Sequence, residues 1–247
     1  MSMSVEEKFL EIVKKEYNNS PAILHAYEFA KEAHKNQKRD SGEPYIIHPV
    51  SVAIILSEYG LDEPAIEAAI LHDTVEDTPV TSKQIRDEFG KEVEELVKGV
   101  TKIGNIKRLV GTENPDAAYL RRMFVQMAKD IRVVLIKLCD RLHNMRTLNF
   151  LSKQRQQKIA KETSEIYVPL AERLGLCSMR GELEDYCLMY LDPDAYKDLE
   201  QRFMKRYEKH KTLVVEIENE LKQILKNLGI QGEVYGRFKH YSSVYKR

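Results

Sequence analysis

The densest group of residues that could do chemistry is the stretch HDTVED at residues 72–77. It places the imidazole of His72 beside three carboxylates, those of Asp73, Glu76 and Asp77. On a helix, residues four apart share a face, so His72 lies over Glu76 and Asp73 lies over Asp77. Such carboxylates repel one another unless a divalent cation, for which imidazole and carboxylate are natural ligands, lies between them. The stretch therefore predicts a metal site.

Two more residues could complete the set of ligands. His48 precedes Pro49, and Asp140 lies within the apolar segment 133–142. A carboxylate buried in such a segment is costly unless it is paired or binds a metal. We therefore expect His48, His72, Asp73 and Asp140 to converge on one cation.

Simpler interpretations of the same residues stay open at this point. His72 alone could be a satisfied core or helix-cap histidine, and His48 could simply end a loop. Arg141, next to Asp140 in sequence, could be the partner of that carboxylate. Cys139 and Met145 are interpreted as core residues.

The spacing of apolar residues is helical almost everywhere and predicts an all-α fold. Caps and breaks set the boundaries of the predicted elements. The predicted helices run from Ser20-Pro21 to near Gln37, from His48-Pro49 to Gly60, from Asp62 to about Glu76, from Thr81 to Gly90, from Asp130 to Leu148, from about Lys153 to Leu174, from Met179 to Tyr190, and from Asp192 to Gly229.

The predicted helix from Asp130 to Leu148 has two distinct faces. One is apolar, and the other is polar and could line a pocket. The apolar face carries Ile131, Val134, Leu135, Leu138, Leu142 and Met145, and the polar face carries Lys137, Asp140, Asn144 and Thr147.

Two segments depart from the helical period. Residues 103–116 include two glycines and a proline and are predicted to form a long loop, which inside a compact domain is often functional. Residues 232–238 alternate like a strand and suggest that a second domain begins there. The segment Asp192-Pro193-Asp194 marks a boundary before the long charged helix that precedes this strand. We therefore divide the chain into residues 1–191 and residues 192–247.

Composition excludes some classes of function. Lys plus Arg and Asp plus Glu number 39 each, so no global field would hold nucleic acid or an anionic membrane. Cys177 and Cys187 lack metal-ligand spacing, which favours reduced thiols and a cytoplasmic protein. The first 17 residues carry neither a signal peptide nor a membrane span, and no later segment reaches eighteen apolar residues.

Three motifs together resemble the hydrolase domain of the RelA/SpoT enzymes, which degrade guanosine tetra- and pentaphosphate alarmones. They are SGEPYIIHP at residues 41–49, HDTVEDT at 72–78 and DRLHNMRTL at 140–148, similar in order and spacing. The similarity continues through residues 165–175 and returns at residues 236–240, which resemble the start of the family's synthetase domain.

The resemblance implies an HD-domain helical bundle, followed by a C-terminal helix and a short strand that begins a truncated α/β synthetase domain. It implies that His48, His72, Asp73 and Asp140 bind Mn²⁺. Glu76 and Asp77 match the acidic pair that positions or deprotonates the attacking water, and which of them is the base stays open. The positions that match the surroundings of the guanosine nucleotide are Arg39, Ser41, Lys137, Asn144 and Thr147.

The expected reaction is hydrolysis of the alarmone's 3′-diphosphate to GDP or GTP and pyrophosphate. Synthetase activity should be nil, because the chain ends just inside the first basic motif of the synthetase.

Two positions depart from the family pattern. Asp40 beside Arg39 would weaken attraction for a polyphosphate, and Glu172 should have a structural effect only.

Other functions remain open at the level of sequence. One is an HD-superfamily nucleotidase or phosphodiesterase for another nucleotide, against which residues 41–48 argue. Another is a catalytically silent nucleotide-binding regulatory module, against which the full set of ligands argues. The helix from Tyr196 to Leu228 could serve a homodimer, although its charge density favours an ordinary solvated face.

Overall fold

The computed structural model describes residues 3–104, 125, 127–234 and 240–245, and these residues confirm the predicted helical fold. The chain divides into two compact units, residues 1–153 and residues 154–247. The predicted boundary between residues 191 and 192 falls inside the second unit and stays a prediction.

The first unit is a bundle of helices around an apolar core. Its helices are α1 (Val5–Glu16), α2 (Pro21–Ala33), α3 (Ile47–Ser57), α4 (Glu63–Leu71), α5 (Thr74–Asp77), α6 (Ser82–Gly104) and α7 (Ile131–Arg146), with a 3₁₀ turn at Leu148–Phe150.

Helix α3 lies at the centre of this bundle. Most of its residues are buried, and it packs against α1, α4 and α7. A helix that is apolar all round is stable only inside a core, which explains the run VAIIL at residues 52–56. His48 lies in the first turn of α3, so the position of its backbone is set by the core.

The helix starts follow the capping chemistry expected from the sequence. Ser20 accepts a hydrogen bond from the backbone of Ile23, and Pro21 occupies the first turn of α2. Asp62 and Asp130 cap α4 and α7 in the same way. A capped start fixes where each helix begins, and therefore which residues each helix brings to the core.

Gly90 divides α6 into two helical parts, as the predicted helix end at this residue implied. Its φ of 87° and ψ of 173° lie outside the helical region, in a conformation that only glycine adopts at low cost. Thr81 caps the first part, since its hydroxyl accepts a hydrogen bond from the backbone N–H of Gln84. The second part continues to Gly104, so residues 103 and 104 of the predicted loop are helical, and its residues 105–116 lie outside the described residues.

The prediction of one helix from Asp62 to Glu76 is wrong. Helix α4 ends at Leu71, and α5 begins at Thr74. The hydroxyl of Thr74 donates a hydrogen bond to the carbonyl of Leu71, and this local bond competes with the regular helical pattern. The break falls at His72 and Asp73, the two residues of the metal motif.

Arg132 joins three helices in this unit. Its guanidinium contacts Asp130 at the N-cap of α7, Asp62 at the N-cap of α4 and Glu92 in α6, at distances of 2.6–2.8 Å. The side chains of Arg132 and Asp130 are 20% and 29% exposed, whereas those of Asp62 and Glu92 are 52% and 58% exposed, so water and salt screen the pair with Asp130 least. The ion pairs hold α4 and α7, which lead to His72 and Asp140, at one end.

The second unit consists of α8 (Lys153–Glu162, whose first residue belongs to the first unit), a π-helical turn at Thr163–Tyr167, α9 (Val168–Arg173), α10 (Cys177–Leu191), α11 (Pro193–Asn227) and α12 (Tyr241–Tyr245). The predicted single helix from Lys153 to Leu174 is thus wrong in detail. Pro169 has no N–H to donate to the carbonyl four residues earlier, and the wider π turn lies just before it.

The last predicted element lies mostly beyond the described part of the chain. Residues 232–234 form neither helix nor strand, and residues 235–239 of the predicted strand lie outside the described residues. Among the helices that the structure describes, not one combines the length and the apolar character needed to cross a membrane.

Candidate metal centre

Three ligand-type side chains from three different helices converge in the first unit. His48 comes from the first turn of α3, His72 follows the last residue of α4, and Asp140 lies in α7. One ligand atom from each lies within 4.8 Å of the others, and all three residues are buried. This spacing could hold a divalent metal ion.

Asp73 lies beside these three residues. One of its carboxylate oxygens is 3.1 Å from Nε2 of His72, and the other is 3.5 Å from Nε2 of His48. Nε2 of His48 is also 3.3 Å from Oδ1 of Asp140. The structure therefore brings together all four predicted ligands, two imidazole nitrogens and two carboxylates.

The outer nitrogens of both imidazoles have partners inside the protein. Nδ1 of His72 is 2.8 Å from the carbonyl oxygen of Ala69, to which only a protonated Nδ1 can donate. Its Nε2 is buried and has no hydrogen-bond partner among the described residues. A neutral His72 held in this way directs a lone pair from Nε2 into the site, as metal-binding histidines do.

The orientation of His48 depends on His143. The two Nδ1 atoms are 2.8 Å apart, so one must donate and the other must accept. Burial, and then the nearby His48 and Arg39, lower the pKa of His143 to about 3, so His143 stays neutral. A neutral His143 can accept from Nδ1–H of His48, which leaves Nε2 of His48 free to bind a cation.

The electrostatics of the site favour a bound positive charge. Burial opposes the charged form of His72, but Asp73 and Asp140 outweigh it and raise its pKa to about 9. Burial also opposes ionisation of both aspartates, yet His72 and His48 lower the pKa of Asp73, while Lys137 leads the groups that lower that of Asp140. The site thus stabilises a cation, which can be a proton on His72 or a metal ion in its place.

Four of the five predicted nucleotide-binding residues form one network around Asp140. Nζ of Lys137 donates to Oδ2 of Asp140 at 2.7 Å, and Nδ2 of Asn144 donates to Oδ1 at 2.5 Å. Arg39 in turn donates to Asn144 at 2.9 Å and to Thr147 at 3.2 Å. The polar face predicted for this helix thus carries one candidate metal ligand and lies next to the others.

The fifth predicted residue, Ser41, makes a different contact. Its hydroxyl lies 3.1 Å from a carboxylate oxygen of Glu43 within the same loop. The contacts of Ser41 therefore do not join it to the network around Asp140, and its role in nucleotide binding stays a prediction.

The predicted acidic pair lies on α5. The carboxylate of Asp77 accepts a hydrogen bond at 3.1 Å from the phenol of Tyr45, which also donates to Asp73 at 2.8 Å. The backbone carbonyl of Asp77 accepts a hydrogen bond from Gln37 at 2.6 Å. Glu76 belongs to the same turn, where its N–H donates to the carbonyl of Asp73.

A sequence profile of the HD domain matches residues 26–177, a range that contains every one of these side chains. The chain belongs to the HD domain family. Within this HD-domain range, His48, His72 and Asp140 form a set of residues that could bind a divalent metal.

Several curated proteins are similar to this HD-domain chain, and they support the resemblance to the RelA/SpoT enzymes. The guanosine-3′,5′-bis(diphosphate) 3′-pyrophosphohydrolase of Aquifex aeolicus is 43% identical over 99% of this chain and 35% of its own length. The enzyme of the same name from Haemophilus influenzae is 45% identical over 88% of this chain and 32% of its own length. The GTP pyrophosphokinase of Myxococcus xanthus is 43% identical over 91% of this chain and 30% of its own length.

The chain spans about a third of the length of these relatives. Among solved structures, a metazoan ortholog of SpoT described as hydrolysing ppGpp is 26% identical to this chain, covering 74% of it and 96% of the other chain. The TM-score of that pair is 0.46, too low to establish a shared fold by itself.

Three residues that contact the candidate metal centre have no role predicted from the sequence. They are Tyr45, His143 and Gln37. Tyr45 and His143 each lie three residues from a predicted ligand, a spacing that brings side chains together on a helical turn. Extending the ligand pattern by one turn in each direction would have found both, whereas Gln37 gives no comparable signal.

Proposed function

We propose that this chain hydrolyses guanosine tetra- and pentaphosphate at the 3′-diphosphate, giving GDP or GTP and pyrophosphate, and that it requires Mn²⁺. The observation that carries the proposal is the convergence of His48, His72 and Asp140, in which the buried Nε2 of His72 has no hydrogen-bond partner in the described part of the chain. The names of the relatives from Aquifex aeolicus and Haemophilus influenzae support the choice of substrate.

His48, His72, Asp73 and Asp140 would hold the metal ion. A mixed set of neutral imidazoles and carboxylates suits a divalent transition metal, and Mn²⁺ is the ion that the family resemblance implies. When bound, such an ion lowers the pKa of a water molecule and offsets negative charge on a phosphate.

The acidic residues of α5 would handle the protons of the reaction. The water oxygen forms a bond to the phosphorus attached to the ribose 3′-oxygen, and the bond between that phosphorus and the 3′-oxygen breaks. Asp77 or Glu76 accepts a proton from the water, and the departing 3′-oxygen gains one. Asp77 is suited to this task because its carboxylate is joined through Tyr45 to Asp73.

The network around Asp140 would recognise the nucleotide. Arg39 and Lys137 can offset the negative charge of the diphosphate, since both present cationic groups at the edge of the metal centre. Asn144 and Thr147 offer an amide and a hydroxyl for the ribose or the base. Ser41 is placed with them by the resemblance only.

One assay tests the proposal directly. The purified chain is incubated with ppGpp and Mn²⁺, and GDP and pyrophosphate are separated by anion exchange. We expect equal amounts of the two products, and loss of both when a chelator is added. Parallel reactions with Mg²⁺ or Zn²⁺ test the choice of metal.

Other outcomes of this assay would replace the proposal. Turnover of deoxynucleoside triphosphates or cyclic nucleotides in place of ppGpp would make the chain an HD-type nucleotidase or phosphodiesterase. Binding of ppGpp without any turnover would make it a silent regulatory module. A cytoplasmic location, a homodimer, the absence of a nucleic-acid partner and the lack of synthetase activity stay predictions.

A further inference from the structure

Tyr45 is a half-buried residue whose phenol lies between a metal ligand and a candidate proton acceptor. Its hydroxyl is 2.8 Å from Oδ2 of Asp73 and 3.1 Å from Oδ2 of Asp77. These are the distances of ordinary hydrogen bonds. The single hydrogen of the phenol is therefore shared between the carboxylate of a candidate ligand and that of a candidate proton acceptor.

The ring of Tyr45 is itself held in place. It stacks on the imidazole of His34, with ring centroids 4.6 Å apart and planes at 22°. The guanidinium of Arg39 lies 5.8 Å from the ring centroid, within the range of a cation–π contact. His34 is only 2% exposed, so the ring lies against a buried, closely packed partner.

The backbone around Tyr45 connects the same ring to a second ligand. The carbonyl of Tyr45 accepts a hydrogen bond at 2.9 Å from the N–H of His48, and the N–H of Tyr45 donates to the carbonyl of Gln37 at 3.1 Å. The side chain of Gln37 donates to the carbonyl of Asp77. Tyr45 thus links the start of α3, which carries His48, to α5 and Asp73.

We infer that Tyr45 is a positioning residue for the hydrolytic reaction, an inference that rests on the proposed function. Its hydroxyl holds Asp73 in the orientation that faces both histidines, and it holds Asp77 at a fixed distance from that ligand. A tyrosine hydroxyl is protonated at neutral pH, so it can serve as a hydrogen-bond donor to either carboxylate.

Replacing Tyr45 with Phe isolates the hydroxyl, because the ring and its stacking on His34 are kept. Partners that orient a metal ligand typically contribute about 10- to 100-fold to metal affinity or activity. For Tyr45→Phe we expect Mn²⁺ affinity in isothermal titration to fall about 10-fold and kcat for ppGpp to fall about 10- to 100-fold. KM should stay within about twofold, because the network of Arg39 and Asn144 is unchanged.

Tyr27→Phe is the matched control. Tyr27 is a buried tyrosine of the same unit whose phenol lies 2.5 Å from a carboxylate oxygen of Glu6, outside the candidate site. Both variants lose a phenol–carboxylate hydrogen bond, so a purely structural role for Tyr45 predicts similar drops in melting temperature and no specific loss of metal affinity or kcat.

The inference is wrong if Tyr45→Phe binds Mn²⁺ and turns over ppGpp within about twofold of the unsubstituted chain. Failure of the proposed function gives a different result. In that case the unsubstituted chain releases no pyrophosphate, and the Mn²⁺ titrations of the two variants still decide whether Tyr45 positions the metal ligands. Circular dichroism of both variants verifies that they are folded.

Discussion

The two units of the chain each contain a histidine beside an aspartate, but the two pairs differ in what completes them. In the second unit, His240 and Asp185 are 2.8 Å apart, and the other oxygen of Asp185 accepts the backbone N–H of Ser242 at 2.8 Å. In the first unit, Nε2 of His72 lies 3.1 Å from Asp73 without forming a hydrogen bond.

The difference shows how the same two residue types serve structure or chemistry. Both oxygens of Asp185 have protein donors, so the pair fastens a chain segment to α10 and needs no ligand. At His72, the protein supplies more carboxylate than donors, and the imbalance calls for a cation. A histidine–aspartate pair is therefore informative only when the partners of every nitrogen and oxygen are known.

Removing the imidazole from each pair should have the most divergent effects. For His72→Ala we expect loss of measurable Mn²⁺ binding and a fall in ppGpp hydrolysis on the order of 1,000-fold or more, because a ligand is lost. His240→Ala should keep both. Isothermal titration and pyrophosphate release measure these effects. Retained Mn²⁺-dependent turnover in His72→Ala would refute the assignment of this residue.

Removing Arg39 tests whether the candidate metal centre uses a neighbouring cationic side chain to bind the substrate. A charged hydrogen bond contributes about 1.5–3 kcal/mol, so Arg39→Ala should raise KM for ppGpp about 10-fold or more. Mn²⁺ affinity should change little, since Arg39 hydrogen-bonds Asn144 and Thr147 and not the candidate ligands, and the ring of Tyr45 that it also contacts is held by His34 as well. Arg202→Ala, which removes an exposed arginine paired with Asp198 on α11, is the control. An unchanged KM would remove Arg39 from the binding site.

Gly181→Ala tests whether the hydrogen-bonded pair of His240 and Asp185 depends on close packing. A Cβ at Gly181 would lie 2.1 Å from the ring of His240, so the ring would have to move and lose Asp185. We expect a loss of unfolding free energy of about 1–2 kcal/mol in the second unit and faster hydrogen exchange at residues 240–245. Gly232→Ala, where the nearest atom is 3.6 Å away, should show neither effect. Unchanged exchange would mean that His240 does not need Gly181.

The smallest effect is expected at Glu67. It is a buried carboxyl group whose protonation state changes between acidic and neutral pH. Burial raises its pKa to about 7, with Glu63 and Glu92 adding to the rise and His25 opposing it. The folded chain therefore holds this proton more tightly than the unfolded chain, so the resulting stability is present at acidic pH and is lost as pH rises from about 4.5 towards 7.

Glu67→Gln removes this titration. Relative to the variant, the unsubstituted chain should lose on the order of 1 kcal/mol of unfolding free energy between pH 5 and pH 8. Denaturant unfolding at the two pH values measures the difference. Glu94→Gln is a control of opposite sign, because Lys98 lowers the pKa of Glu94. Parallel pH dependence in the Glu67→Gln variant and the unsubstituted chain would contradict the assignment.

Much of the helical fold could be predicted because the sequence states it locally. The cap at Ser20, the break at Gly90 and the two faces of α7 follow from side-chain chemistry within a few residues. The break between α4 and α5 could not be predicted in this way. The bond of Thr74 to Leu71 is local but is one that a helix also tolerates, whereas the bond of Asp73 to Tyr45 joins residues that only the folded chain brings close.

The candidate site shows the same limit. The four proposed ligands are recognisable from residue type, because each is costly to bury without a cation. Tyr45 and His143 each lie one turn from a predicted ligand, but that spacing gives neither of them a role, since a tyrosine and a histidine are ordinary residues until their partners are known. Their roles arise from contacts with Asp73 and His48 across the bundle.

The ion pairs of Arg132 have a consequence for residues that they never touch. Asp140 lies eight residues beyond Arg132 along α7, about 12 Å at the helical rise, and Asp62 begins the helix that ends beside His72. The distance between these two candidate metal ligands is thus set in part from the opposite end of the helices that carry them. Natural variation at Asp62, Glu92 or Asp130 could therefore retune metal affinity while leaving every ligand in place.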